Sequence, residues 1–324
     1  MTAIKSIWDS HVASSEVIIK TQLDDVLPFK CFAATNHLTG NHLFIFETSK
    51  NSIFPEFKNF KFKGLFIELF EFEEKKELHI FLLDIHLKDI FSLFIENIID
   101  VISKSITENE ALIETSNIVL KWKKLFDKIN FNGLSIEQQK GLLGELLLIN
   151  SILNEEISID KLLDSWTGPE YDDKDFLFGS IGIEVKLTSS KLPKLKISSE
   201  RQLDNQNLMN LFLILYIVEE VKDKGFSLNY LIDQIRIKIK PNQNALKFFN
   251  ERLCLIGYFD EDFENYNQQY AIRKRNCYEV NLNFPRLVSK DLPVGLFETK
   301  YSIELSAIEP FILGYETILE LIKR

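Results

Sequence analysis

The chain has 324 residues and a formal net charge of −10, with 45% hydrophobic and 27% charged residues. That composition is ordinary for a globular protein with a large core and room for two or three subdomains. The acidic balance argues against a general, charge-driven nucleic-acid binder but leaves room for a locally basic face. Residues 1 to about 128 read as an α+β region. Stretches 42–46, 65–72 and 78–83 alternate and predict strands, and helical periodicity covers about 89–104 and 108–128. The five histidines (11, 37, 42, 79 and 86) all lie here at no metal-binding spacing. Each reads as a surface or satisfied core residue.

From about 135 the character changes. Ser135-Ile136-Glu137-Gln138 has capping-box spacing and opens a helix to about 154. A loop with Trp166-Thr167-Gly168-Pro169 follows, then a hairpin at 175–187. Lys194-Leu195-Lys196-Ile197-Ser198 predicts a third strand. Ser199-Glu200-Arg201-Gln202 again has capping-box spacing and predicts a short helix. Residues 211–218 are wholly apolar and predict a strand buried on both faces. The order is α-β-β-β-α-β, a mixed α/β (α+β) core over 129–226. The remainder, 227–324, reads as an α+β extension. It has helices around Leu228, Leu231, Ile232 and Ile235 and near 243–253, strands around 270–282 and 300–306, and a last helix at about 309–323. No apolar run reaches the ~18 residues of a membrane helix, and residues 1–9 show no signal-peptide hydrophobic stretch. Cys31, Cys254 and Cys277 lack CxxC or Cys/His spacing, which fits a reducing cytoplasm rather than a structural zinc site.

The chemistry-bearing pattern sits on the hairpin. Gly179-Ser180 suits a two-residue type II′ turn, because glycine tolerates the positive φ required at its first central position. Pairing across it sets Phe178 against Ile181, Phe176 against Ile183 and Asp175 against Glu184. Directly opposite side chains share a face with Cβ atoms roughly 4.5–5.5 Å apart. Lys186, two residues beyond Glu184, projects from the same face, while Ile183, Val185 and Leu187 point to the other. Two opposed acids destabilise a sheet unless a cation lies between them. The competing reading is a surface salt-bridge ladder. E-x-K is a common triplet: Glu74-Lys75-Lys76, Glu220-Val221-Lys222 and Glu298-Thr299-Lys300 repeat it, and the second, another E-V-K, has no upstream acid across a hairpin.

Several residues could support such a centre. Glu145 shares an apolar helix stripe with Gly141, Leu142, Leu148 and Ile149, which is costly unless it is paired. Gly144 beside it costs about 1 kcal/mol relative to Ala in a helix. A helix packed closely on the sheet accounts for both, with Glu145 as a further metal or water ligand or as an edge residue bound to a lysine. Gln202 has either a local capping role or a reach to phosphate or water. Trp166 and Tyr171 are either core or base-stacking residues. Lys191, Lys194, Lys196 and Arg201 follow the hairpin as a candidate DNA-binding face. Arg236, Lys238, Lys240 and Arg273-Lys274-Arg275 are further basic clusters that could equally be solvated surface.

These residues together resemble the PD-(D/E)XK, or restriction-endonuclease-like, superfamily, and most of all an uncharacterised bacterial branch of it. The resemblance rests on Gly144-Glu145-Leu146-Leu147, Trp166-Thr167-Gly168-Pro169, Asp175-Phe176, Glu184-Val185-Lys186 and Gln202-Leu203. Asn283-Phe284-Pro285-Arg286 and Tyr301-Ser302-Ile303 extend it over most of the chain. Lys174 stands where the motif's proline would be. The resemblance implies a Mg²⁺- or Mn²⁺-dependent DNA endonuclease. Asp175, Glu184 and the Val185 carbonyl would hold the cation, Lys186 would position the attacking water, and Glu145 would serve a second ion or a water. It also implies a place in bacterial restriction or anti-phage gene clusters, alongside other subunits. A homodimer would match double-strand cleavage. The alternative is a catalytically silent DNA-binding or scaffold subunit.

Overall fold

The structure is a computed structural model that describes residues 4–11, 17–23, 27–55, 60–62, 64–126, 133–170, 173–189 and 194–323. The chain divides into two compact units, Met1–Ile129 and Asn130–Arg324.

The first unit is built on an antiparallel sheet. Helix α1 (Ile4–Ser10) precedes β1 (Ile18–Gln22), β2 (Cys31–Asn36), β3 (Asn41–Ser49), β4 (Phe60–Phe62), β5 (Leu65–Glu71) and β6 (Lys75–Leu82), in the order β1-β2-β3-β6-β5-β4. Helices α2 (Lys88–Lys104) and α3 (Glu108–Phe126) follow. Strand β2 was not expected, because Ala33 and Ala34 have poor β propensity. It forms because both are fully buried beside β3. Trp8 of α1 donates to the Leu43 carbonyl and stacks on both His42 and Phe91, linking the sheet to α2. His42 is therefore a core residue, and burial holds its imidazole down at about 4.

The second unit begins with α4 (Ile136–Ile152), whose Ser135 cap makes both hydrogen bonds of the expected capping box. Helix α5 (Ile159–Ser165) leads to β7 (Phe176–Phe178), β8 (Ile181–Thr188), β9 (Lys194–Ile197) and β10 (Asn210–Val221). Then come α6 (Leu228–Ile239), α7 (Gln243–Ile256), β11 (Gln269–Glu279), β12 (Tyr301–Glu304), α8 (Leu305–Ile308), β13 (Ile312–Leu313) and α9 (Tyr315–Lys323). The main sheet has the order β13-β11-β10-β8-β7, with β8 and β10 parallel and every other neighbour antiparallel. This is a mixed α/β architecture consistent with a PD-(D/E)XK-like fold. Among the described residues no helix is long and apolar enough to cross a membrane.

Alternation along β10 explains its central place. Phe212, Ile214, Tyr216 and Val218 enter one core cluster together with residues of α4 to α7 and α9. Leu211, Leu213 and Leu215 enter another with β9, β12, Phe284 and Ile308. Both faces of this strand are covered, as its apolar run predicts.

Three expectations needed correction. The 194–197 strand leaves the main sheet and pairs antiparallel with β12, Lys196 opposite Ser302 and Lys194 opposite Glu304. Its alternation buries Leu195 and Ile197 and exposes both lysines, a pattern that suits any half-covered strand. The segment from Ser199 forms turns rather than a helix. There the Arg201 N–H bonds the Ser199 hydroxyl (3.2 Å) and Gln202 Oε1 takes the Ser198 N–H (2.9 Å). The last helix starts at Tyr315, because Pro310 and the short β13 occupy the preceding residues.

Helix α4 lies directly on β8. A Cβ on Gly144 would stand 3.3 Å from both Leu187 Cβ and Val185 Cγ1, so this glycine permits the close approach. A Gly144→Val variant is expected to lose about 1–3 kcal/mol from overpacking, read by urea unfolding. Unchanged stability would show that the helix can withdraw freely.

Candidate active site

The hairpin register is the expected one, with Phe176 opposite Ile183 and Phe178 opposite Ile181. Gly179 has φ +61°, as a type II′ turn requires. Because β7 is so short, β8 is paired on that side only through Ile183. From Glu184 onward its outer edge is open, and the candidate site lies there.

Asp175 directly precedes β7 and is clamped by the Trp166–Pro169 loop. Its carbonyl accepts from the Thr167 and Gly168 N–H groups (3.0 and 3.1 Å), and the Thr167 hydroxyl donates to the Lys174 carbonyl (2.8 Å). The Asp175 carboxylate does not simply face Glu184. Its Oδ2 reaches across and accepts the Val185 N–H at 2.7 Å. In extended backbone the carbonyl of a residue points to the same side as its N–H, so the Val185 oxygen is also directed toward Asp175.

Glu184 is fully buried on the face opposite α4. Its Oε1 accepts from Lys186 Nζ at 2.6 Å, and its Oε2 is buried with no hydrogen-bond partner. Burial, and then the charge of Asp175, pushes its carboxyl up to about 8 against the pull of Lys186. Asp175 is raised by burial too, held back by Lys186 and the Val185 N–H. Burial alone would lower the Lys186 ammonium, but Glu184 and Asp175 outweigh it and hold it above its ordinary value. This is no surface ladder. Glu184 is packed out of water, and Asp175 and Lys186 are half-buried beside it.

Glu145 reaches the same edge from α4. Its Oε2 accepts the Trp166 indole N–H at 2.6 Å. Burial and the Asp175 charge hold its carboxyl well above the usual carboxylate range. A Cβ on Gly168 would lie 2.9 Å from Glu145 Oε2, so the glycine of the loop leaves room for that oxygen. A cleft of about 190 Å³, lined by Gln138, Gly141, Leu142, Glu145, Gly168 and Pro169, opens on this carboxylate. Trp166 itself is completely buried, a core residue with one polar task.

The donor set fits a hard divalent cation. Three raised carboxylates cluster at one edge, one of their oxygens is buried without a partner, and a main-chain oxygen points toward the same place. Oxygen ligands of this mixed kind, completed by water, are what Mg²⁺ and Mn²⁺ take. Among the described residues no group of three or more His, Cys, Asp or Glu side chains stands in metal-binding geometry. The fit is therefore to Asp175, Glu184 and the Val185 carbonyl, with Glu145 outside the first set of donors.

The remaining expected residues are placed differently. Gln202 has the local role, bound to Ser198. Lys194 and Lys196 are exposed on the β9–β12 ribbon, and Arg201 is exposed with its guanidinium 3.3 Å from Asp173. Lys191 and Tyr171 lie outside the described residues. Arg236 pairs with Asp260 and Arg273 with Glu219, Lys238 bonds Asn150, and Arg275 lies over the Tyr315 ring. Sequence reasoning overlooked Lys174. It is buried, and its Nζ donates to the Arg201 and Asp173 carbonyls, fastening the 200–205 turn to the root of Asp175. The signal was present, since a lysine replaces a proline at that position. Arg286 of Asn283-Phe284-Pro285-Arg286 holds the other side of that turn through the Leu203 carbonyl and Asn205.

No curated protein and no solved structure matches the chain. Residues 4–306 match the family described as "Putative PD-(D/E)XK family member, (DUF4420)", and the chain belongs to that family.

Proposed function

We infer that this protein is a metal-dependent DNA endonuclease, acting by phosphodiester hydrolysis within a bacterial restriction or anti-phage system. The observation that carries the reading is Glu184, buried with one oxygen unpartnered, between Asp175 and Lys186. A protein keeps such a cluster against its own stability when the site has work to do. Proteins of the PD-(D/E)XK superfamily are generally nucleases, which agrees.

Asp175, Glu184 and the Val185 carbonyl would hold Mg²⁺ or Mn²⁺. A bound cation of this kind polarises a phosphate and lowers the pKa of a water. Lys186, already charged, would turn from Glu184 Oε1 to orient that water and offset charge developing on phosphorus. Glu145 would hold a further ion or water through the oxygen not committed to Trp166. Lys194, Lys196 and Arg201 would contact the phosphate backbone, which sets register without reading sequence. The test is cleavage of methylated and unmethylated plasmid with Mg²⁺ or Mn²⁺, alongside an RNA of matched sequence. No cleavage of any of them would remove the reading.

A silent DNA-binding or scaffold subunit is the second reading, favoured by the lack of a three-side-chain metal group among the described residues. Calorimetry separates the two. Mn²⁺ binding that disappears in Asp175→Ala supports the enzyme, and absence of binding in the wild type supports the scaffold.

A further inference from the structure

The segment between β11 and β12 has a feature the catalytic edge does not use. Pro293-Val294-Gly295-Leu296 closes a tight turn through a Leu296 N–H to Pro293 carbonyl bond of 3.1 Å, with Gly295 at φ +93°. Proline followed two residues later by a positive-φ glycine gives the chain little freedom there. The turn thrusts apolar side chains into water. Val294 is fully exposed, Leu296 is 60% exposed and Phe297 is 74% exposed. Large apolar residues grouped this way mark a contact surface.

The two roots of this loop are tied to the catalytic side of the unit. On one side Arg286 bonds the Leu203 carbonyl and Asn205 Oδ1, and Phe284 is buried edge-on against Phe311. On the other, Glu200 accepts the Thr299 N–H at 2.7 Å. Both anchors fall on the 200–205 turn that Lys174 fastens to the root of Asp175. Ser289 of the loop also closes one wall of a cleft of about 280 Å³, whose other walls include Asp173, Lys174, Arg201, Gln206 and Asn207. Amides and carboxylates are groups that hydrogen-bond base edges. Exposed Lys194 and Lys196 stand on the ribbon that the loop enters.

We propose that the Val294–Phe297 turn is a wedge that inserts into a stacked base step of DNA and delivers the displaced base to the cleft at its root. Apolar wedges such as Leu and Phe are how some proteins unstack and kink a duplex, and a base taken out of its stack is held by hydrogen bonds to its edge in a pocket. Three side chains on one turn are too few to form the ~800 Å² per partner of a stable protein interface. The proposal rests on the nuclease reading for its substrate.

The test is a duplex carrying 2-aminopurine, whose fluorescence rises when it leaves the stack, titrated with the whole protein in EDTA. The wild type is expected to give a several-fold rise on binding. A Leu296→Ser/Phe297→Ser double variant, with an unchanged melting temperature because both residues are exposed, is expected to bind without the rise. Binding by the wild type with no rise, or an equal rise with the double variant, overturns the wedge. A wild type that unstacks the probe yet cuts nothing with Mg²⁺ or Mn²⁺ upholds the wedge and removes the nuclease reading. A wild type that binds no DNA in EDTA or in Ca²⁺ removes both.

Discussion

Asp175→Ala and Lys186→Ala are each expected to reduce plasmid cleavage by at least about 10²–10³-fold, the usual cost of removing one preorganised charge from a reacting centre. Both proteins should remain folded. Asp175→Ala leaves the Val185 N–H without its acceptor, a loss of about 1–3 kcal/mol against a typical stability of 5–15 kcal/mol. Lys186→Ala would ordinarily strand a buried charge, which is severe. Here Glu184 already holds its proton up to about 8, so without Lys186 the carboxyl simply stays neutral. Melting curves and far-UV circular dichroism, read beside cleavage, separate loss of chemistry from loss of fold. Full activity in either variant would remove the role assigned to that residue.

The second large effect is on stability. Glu184 shifts from an ordinary 4.5 to about 8 on folding. Between those values the folded protein keeps a proton that the unfolded chain has lost, so metal-free stability falls as pH rises through the window. Asp175 and Glu145 are raised too and act with the same sign. The total is on the order of a few kcal/mol. His42 works oppositely, being held at about 4, but only below its ordinary 6.5. The interval from 6.5 to 8 therefore reports on the carboxylates. Wild type in EDTA should melt lower at pH 8 than at pH 6.5, and Mn²⁺ should reverse the trend by taking the place of the proton. Glu184→Gln keeps an oxygen for Lys186 and removes the charge. It should flatten the profile and melt higher than wild type at pH 8, by on the order of 5 °C or more, while abolishing cleavage. A wild-type melting temperature that is flat or rising over that interval without metal would contradict the buried-acid account.

What could be seen in the sequence follows from what is local. The turn at Gly179, the alternation of Ile183, Val185 and Leu187, and the capping box at Ser135 are each set by neighbours a few residues away, and all hold. The acid–acid–lysine set came with them, because period-two geometry carries side chains to a known face. The bond from Asp175 to the Val185 N–H was not legible, since pairing rules assume that β7 continues. Neither was the partner of 194–197, which lies in another part of the chain and leaves no trace in its own alternation. Glu145 was flagged by its misplaced charge, but its indole partner sits beyond a second helix. Gln202 shows the limit of a motif. The residue was part of the resemblance drawn from the sequence, and its side chain bonds the turn at Ser198.

The pairing of β9 with β12 also bears on how the protein is made. Chains emerge from the ribosome amino end first, and contacts distant in sequence form late. The partner of residues 194–197 is residues 301–304, so the β9–β12 ribbon cannot close until residue 304 has been translated. Between the making of Lys186 and that of Tyr301 the nascent chain carries the acids while the partner of β9 is still missing.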